Sequence, residues 1–213
     1  MPGSTRYRKV DAILHLLKEA AATSGIPLGL LVGWIAKESG GKLEEVTRLD
    51  ERGYFQLMKG ESDRLGLDHA RLSTDPVYSI NAGLLLIGRY MKEADALGIA
   101  PKGSKYYWMV VKWLHSMGSG AVRKIVAAAK VAGQTGSWEE LERYAVDNNA
   151  RFLHETKHAP KKWMPFVREV VAVGAPFGFG SDTGTSVVGV AIAGTGYSDI
   201  PDPLALISRK RGW

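Results

Sequence analysis

The chain contains no cysteine. That excludes a disulfide framework, a thiolate metal site, an iron–sulfur cluster and a cysteine nucleophile. Long apolar runs are missing as well. No stretch, Val187 to Ala193 included, approaches the roughly 20 residues a spanning helix needs, so no stable membrane span is expected. Nor do the first residues read as a secretory leader. Arg6, Arg8 and Lys9 make a basic start, but His15, Lys18 and Glu19 interrupt the stretch that should be apolar. Histidine is scarce, and His69, His154 and His158 do not cluster with carboxylates at metal-ligand spacing. No metal and no cofactor are therefore expected. Negative charge is the lesser sign, with 22 acidic against 28 basic residues and a net charge of +6. Such a surplus suits a polyanionic partner, whether nucleic acid, anionic lipid or a bacterial cell wall, and serves solubility equally. Lys and Arg are scattered through every segment rather than gathered on one face among aromatics, so no nucleic-acid partner is expected.

What is present is a helical pattern. Hydrophobic residues make up 45% of the chain, enough for a core. Val10, Ile13, Leu14, Leu17, Ala20 and Ala21 follow the spacing of one amphipathic helix, stopped by Ser24-Gly25. Pro27 opens the next, through Leu28, Leu31, Val32 and Ile35, and Gly40-Gly41 end it. Residues 42–60 lack helical period and read as a loop with a short hairpin. Asp75-Pro76 starts a long helix through Ile80, Leu84, Ile87 and Met91 that stops near Gly98. The aromatic stretch 104–117 reads as a buried central helix, broken by Gly118-Ser119-Gly120 before Ala121 to Ala132. Ser137 with Glu140 predicts a capped helix toward His158, and Pro160 precedes a last one, Lys161 to Val173.

After residue 173 the composition turns to Gly, Ser, Thr and Val. The chain thus divides into a mainly α domain, residues 1–173, and an extension, residues 174–213. Within the extension Thr185 to Gly194 is strand-like, and Arg209, Lys210, Arg211 and Trp213 are residue types suited to docking.

Glu38 carries the chemical signal. It falls at the edge of the apolar stripe, in the last turn of its helix. Partial burial and the negative end of the helix dipole both disfavour a charged carboxylate there. A protonated carboxyl is what a general acid requires. A solvated glutamate at a helix end is the plainer alternative on position alone.

Four blocks around it change that reading. Glu38-Ser39-Gly40-Gly41 is followed by Gly53-Tyr54-Phe55-Gln56-Leu57-Met58, then by Asp75-Pro76 with Ser79-Ile80-Asn81-Ala82-Gly83, then by His115-Ser116-Met117-Gly118-Ser119-Gly120-Ala121-Val122. Phe166-Val167 sits in the closing helix. In this order the blocks resemble the lytic transglycosylases of the soluble SLT type and the related goose-type lysozymes, over residues 10 to 173. Tyr54-Phe55 stands where Leu-Met is commoner. His115 and Ser116 replace the family's Tyr and Asn.

The resemblance implies a lysozyme-like helical fold with a short loop or hairpin lobe, and peptidoglycan as substrate. It implies Glu38 as the single catalytic residue, first acid and then base on the muramic C6 hydroxyl, giving a 1,6-anhydro product. Glu44, Glu45, Asp50, Glu51 and Asp63 match no family position that would make them a second carboxylate. Substrate-binding candidates are Ser39, Tyr54, Gln56, His115 and Ser116. All but Ser116 have a plainer alternative. Ser39 would otherwise bond helix-end backbone, Gln56 would hold its loop, Tyr54 would be core, and His115 would be a packed, satisfied histidine. A lysozyme-type hydrolase with the same glutamate, and an inactive structural or delivery component, are the competing readings. Wall access without a leader suggests a bacteriophage virion, or a bacterial secretion assembly, joined through residues 174–213.

Overall fold

The computed structural model describes residues 7–179, and within them the protein is helical with no strand. The helices are α1 (Arg8–Ala12), α2 (Leu14–Ser24), α3 (Leu28–Glu38), α4 (Lys59–Arg64), α5 (Pro76–Leu97), α6 (Lys105–Met117), α7 (Ser119–Val131), α8 (Trp138–Asp147), α9 (Asn149–Thr156) and α10 (Pro160–Gly174). Single 3-10 turns lie at Ala70–Ser73 and Ala175–Phe177. The strand-like stretch and the basic, aromatic end of the extension lie outside the described residues.

Two helices form the centre. In α3 every residue from Gly29 to Ala36 is buried, and in α6 every residue from Tyr107 to Leu114. Helices apolar all round belong inside a fold. Only α6 was expected to be central. α10 packs along both. Against α3 the backbones almost touch. A Cβ on Gly33 would lie 2.1 Å from the Val170 carbonyl oxygen, and one on Gly29 would lie 2.4 Å from that of Gly174. Glycines one turn apart on α3 thus form the groove that seats α10. Phe179, just past α10, packs over Gly29 and Gly174, so the helical body includes residues 174–179.

Expected boundaries mostly hold. Asp75 caps α5 by accepting from the Tyr78 N–H at 2.9 Å, and Ser137 caps α8 through the Glu140 N–H. Two helices expected as one are each broken. The first is interrupted at Ile13, whose backbone leaves the helical region, and α1 then lies against the turn after α3, where Gly41 approaches the Val10 backbone. The other breaks at Asn148, whose side-chain amide donates to the Tyr144 carbonyl. Asparagine competes for backbone groups in this way, and periodicity does not register it. α4 was not foreseen inside the polar stretch after residue 58.

The loop lobe is a tight turn rather than a sheet. Arg52 and Leu57 exchange both backbone hydrogen bonds at 3.0 Å around Gly53–Gln56, and Arg52 also bridges Val46. Gly53 has φ +72°, and a side chain there would strike Ser79 Oγ and the Leu72 carbonyl. Ser79 Oγ accepts from the Tyr54 N–H at 3.0 Å, fixing the turn to α5.

The glycine groove predicts opposite outcomes for two like substitutions. Gly33→Ala forces α3 and α10 apart and should cost about 1–3 kcal/mol or more. Gly88→Ala, in α5, meets nothing within 4 Å and should gain up to about 1 kcal/mol from helix propensity. Urea unfolding of both variants measures the difference.

Candidate functional site

Helical spacing assembles the site. On α3, Trp34 and Glu38 are one turn apart and share a face. On α6, Lys112, His115 and Ser116 stand at i, i+3 and i+4 and share another. Packing α3 and α6 together under α10 joins the two faces.

At the junction is the Lys112 ammonium, with no exposed surface. Its Nζ donates to Glu38 Oε1 at 2.6 Å and to Ser116 Oγ at 2.7 Å, and lies 3.3 Å from His115 Nδ1. Three acceptors match its three protons. Two aromatic rings complete the enclosure, Trp34 at 4.6 Å and Phe166 of α10 at 4.9 Å from their centroids. Ser116 Oγ in turn donates to the Lys112 carbonyl, which leaves its lone pairs to the ammonium.

Glu38 retains 18% side-chain exposure, against 9% for His115 and none for Lys112. His115 Nδ1 is 3.5 Å from the same Oε1. The His115 ring packs against Trp34 at 5.0 Å and meets Tyr90 edge-on at 5.8 Å. Beyond Tyr90 is a second carboxylate. The Tyr90 hydroxyl donates to Glu61 Oε1 at 2.9 Å, and Glu61 Oε2 accepts from the Met58 N–H, closing the first turn of α4.

The charges here perturb one another. Burial pulls the Lys112 ammonium below the ordinary lysine value, while Glu38, and Glu61 at longer range, work against that shift. Burial and then the neighbouring Lys112 charge hold His115 well below the ordinary histidine value, so its ring is neutral and Nδ1 can accept from Nζ. Burial, then Glu61, pushes the Tyr90 hydroxyl up.

The structure brings together Glu38, His115 and Ser116, three of the six residues singled out from sequence. The other three lie beneath them. Ser39 Oγ is buried, donates to the Tyr54 carbonyl at 2.9 Å and accepts from the Gly41 N–H. Tyr54 is buried beside it. Gln56 adopts φ +52°, uncommon for a side chain of its size, and its amide donates to the Gly53 carbonyl at 2.8 Å and to that of Glu45. These contacts tie the end of α3 to the turn and so orient the Glu38 backbone.

Sequence reasoning missed Lys112, Trp34, Tyr90 and Glu61. A signal existed for the first. Lys112 is the one charged residue between Lys105 and His115 in an otherwise apolar and aromatic helix, three and four residues before His115 and Ser116. The acidic residues weighed as second carboxylates have other partners. Glu44 pairs with Lys9, Glu45 with Lys42, Asp50 with Arg52 and Asp63 with Lys59, while Glu51 accepts from Thr47. Ser62, His69 and Asp50 form a relay-like row, with Ser62 Oγ 2.8 Å from His69 Nδ1 and His69 Nε2 2.8 Å from the Asp50 carbonyl. Ser62 has no exposed surface, so this row braces the lobe rather than presenting a nucleophile. No group of three or more metal-ligating side chains occurs among the described residues, and no helix among them is long and apolar enough to cross a membrane.

A neutral, largely enclosed His115 has a consequence for stability. Its value in the folded state is depressed. Below the ordinary value near 6.5 the unfolded chain therefore binds a proton that the folded chain does not. The His115 contribution is complete above that value and is lost as pH falls. Urea unfolding at about pH 7 and about pH 5 should show a smaller acid loss in His115→Gln than in the parent. An equal loss would mean that folded His115 takes up a proton.

The site lies almost wholly in the part of the chain that a family comparison recognises. The sequence model described as Transglycosylase SLT domain matches residues 15–133, which takes in Glu38, the Gly53–Met58 turn and the face of α6, and leaves out α10. None of the curated proteins compared with the chain matches it. The matched stretch is more than half of the 213 residues, and the helical body and loop lobe agree with it, so the chain belongs to the SLT transglycosylase domain family.

Proposed function

We propose that the protein cleaves the β-1,4 bond between MurNAc and GlcNAc in peptidoglycan, with Glu38 as the catalytic residue and 1,6-anhydroMurNAc as the product. Membership of the SLT family supports lytic transglycosylase action on peptidoglycan in general. The observation that carries the finer reading is the isolation of Glu38. It is a partly exposed carboxylate beside a neutral histidine, and no other carboxylate is hydrogen-bonded within its cluster. Hydrolysis by two carboxylates requires a second one to activate water or attack the sugar. Glu61 is the nearest in character, but it is buried and both its oxygens are engaged. One carboxylate acting in turn as acid and base suits an internal attack by the C6 hydroxyl.

Glu38→Gln keeps the volume and removes the transferable proton. Turnover of purified peptidoglycan should fall by about 100- to 10,000-fold with the fold intact. Retained turnover would reject Glu38. Mass analysis of the parent digest should show anhydro-ended muropeptides. Reducing ends alone would make the protein a lysozyme-type hydrolase.

For residues 174–213 we propose docking onto a protein assembly that carries the enzyme to the wall, such as a phage virion or a secretion machine. Support comes from composition alone: a Gly-, Ser- and Thr-rich stretch of high β-propensity, which suits addition to another sheet, ending in Arg209, Lys210, Arg211 and Trp213. The described body runs through residue 179, so the truncation that tests this begins at residue 180. It should leave peptidoglycan turnover nearly unchanged and abolish incorporation. A truncated protein that is still incorporated would reject the docking role.

A further inference from the structure

Glu38 poses a problem of charge. A general acid must hold a proton, yet the carboxylate is hydrogen-bonded at 2.6 Å to an ammonium. In such an ion pair the proton sits on nitrogen, and a carboxylate without one cannot protonate a leaving group. The surroundings of Lys112 suggest how the site works nevertheless.

Resting on the reading of Glu38 above, we propose that Lys112 and Glu38 share one transferable proton, Lys112 supplying the proton that Glu38 passes to the leaving oxygen and taking it back when the product closes. The 2.6 Å contact is a direct path between Nζ and Oε1. Lys112 has no exposed surface, so water does not compete for its proton. The network is satisfied in either form. As an ammonium, Nζ donates to Glu38, Ser116 and His115. As an amine, it accepts from the Glu38 carboxyl and still donates to Ser116 Oγ and His115 Nδ1.

Two opposing effects act on the pair. Desolvation favours the neutral pair, since separated charges are costly away from water. The Trp34 and Phe166 rings favour the ammonium. The charged and titratable groups around Lys112 come from every packed element. Glu38 faces it from α3, and neutral His115 lies on its own helix. Tyr90 of α5 and Glu61 of α4 lie behind His115. From α10 comes Phe166, whose ring centroid is also 5.6 Å from Lys37 of α3, the partner of Glu169.

In cleavage the C1–O4 bond breaks with its electron pair on O4. That oxygen takes the proton that Glu38 relays from Lys112, leaving a carboxylate and an amine. In closure the C6 oxygen bonds to C1, and its proton passes to Glu38 and on to Lys112, restoring the ammonium. Proton count is equal before and after, and no external acid enters. Lys112 acts through Glu38 and is a positioning residue, not one that touches the sugar.

The test is the pH dependence of peptidoglycan turnover in Lys112→Met, which keeps the stem's bulk but cannot carry the proton. In the parent, activity should persist until the pair loses its proton. In the variant only a carboxyl can hold it, and carboxyls lose protons at lower pH than ammonium groups. The alkaline limb of kcat/KM should therefore move toward acid by at least about one pH unit, with activity recovering at low pH. A uniform fall at every pH would overturn the shared proton and leave a structural lysine. Should Lys112→Met fail to fold, the Lys112 side chain of the parent is followed by heteronuclear NMR. Its conversion from ammonium to amine should coincide with the alkaline limb, and an ammonium that survives beyond that limb would overturn the proposal. Active Glu38→Gln would reject Glu38 as the acid whatever Lys112 does. Inactive Glu38→Gln with an unshifted Lys112→Met profile would reject the shared proton alone.

Discussion

An ammonium group with no exposed surface is the constraint around which the centre of this protein is organised. Removing one partner of a buried ion pair typically costs about 3–5 kcal/mol, because the other charge is left stranded. Lys112 therefore requires that α3 deliver Glu38, that α6 keep its helical register so that His115 and Ser116 stand beside it, and that α10 bring Phe166 over it. Three helices are held in relation by one charge. The same requirement orients the Glu38 carboxylate, so the demands of stability and of chemistry converge on one contact.

The Phe166 side of this enclosure depends on the close approach of α3 and α10. Gly29 and Gly33 remove the side chains that would separate them, and Val170 and Gly174 fill the space. With bulkier residues at these positions Phe166 would not lie near Lys112. The turn at Gly53–Gln56 plays a corresponding part on the other side. Its peptide groups are held by Ser39, Ser79 and the Gln56 amide, and it presses Phe55 into the core against Trp34. Residues that looked like sugar contacts by position thus support the floor beneath Glu38.

The helical architecture was legible in the sequence because it depends on local signals. Apolar spacing, Pro27 and Pro76 at helix starts, Asp75 and Ser137 as caps, and glycines after helix ends are each read from a few neighbouring residues. Where a tertiary contact overrode local preference, the reading failed. The break at Ile13 answers to the packing of α1 on the Gly41 turn, and the short α4 is closed by Glu61, whose other oxygen belongs to Tyr90 on a distant helix.

By itself, then, the sequence determined the helical body, the position of Glu38 at the end of α3 and the family to which its motifs belong. Only the tertiary structure decided what Glu38 faces. A helix end and partial burial can be inferred from the chain around residue 38. An ammonium contributed by residue 112 cannot, because the pairing spans 74 positions and depends on how α3, α6 and α10 cross. Local pattern reports which side of a helix is buried. It does not report which charge is buried with it.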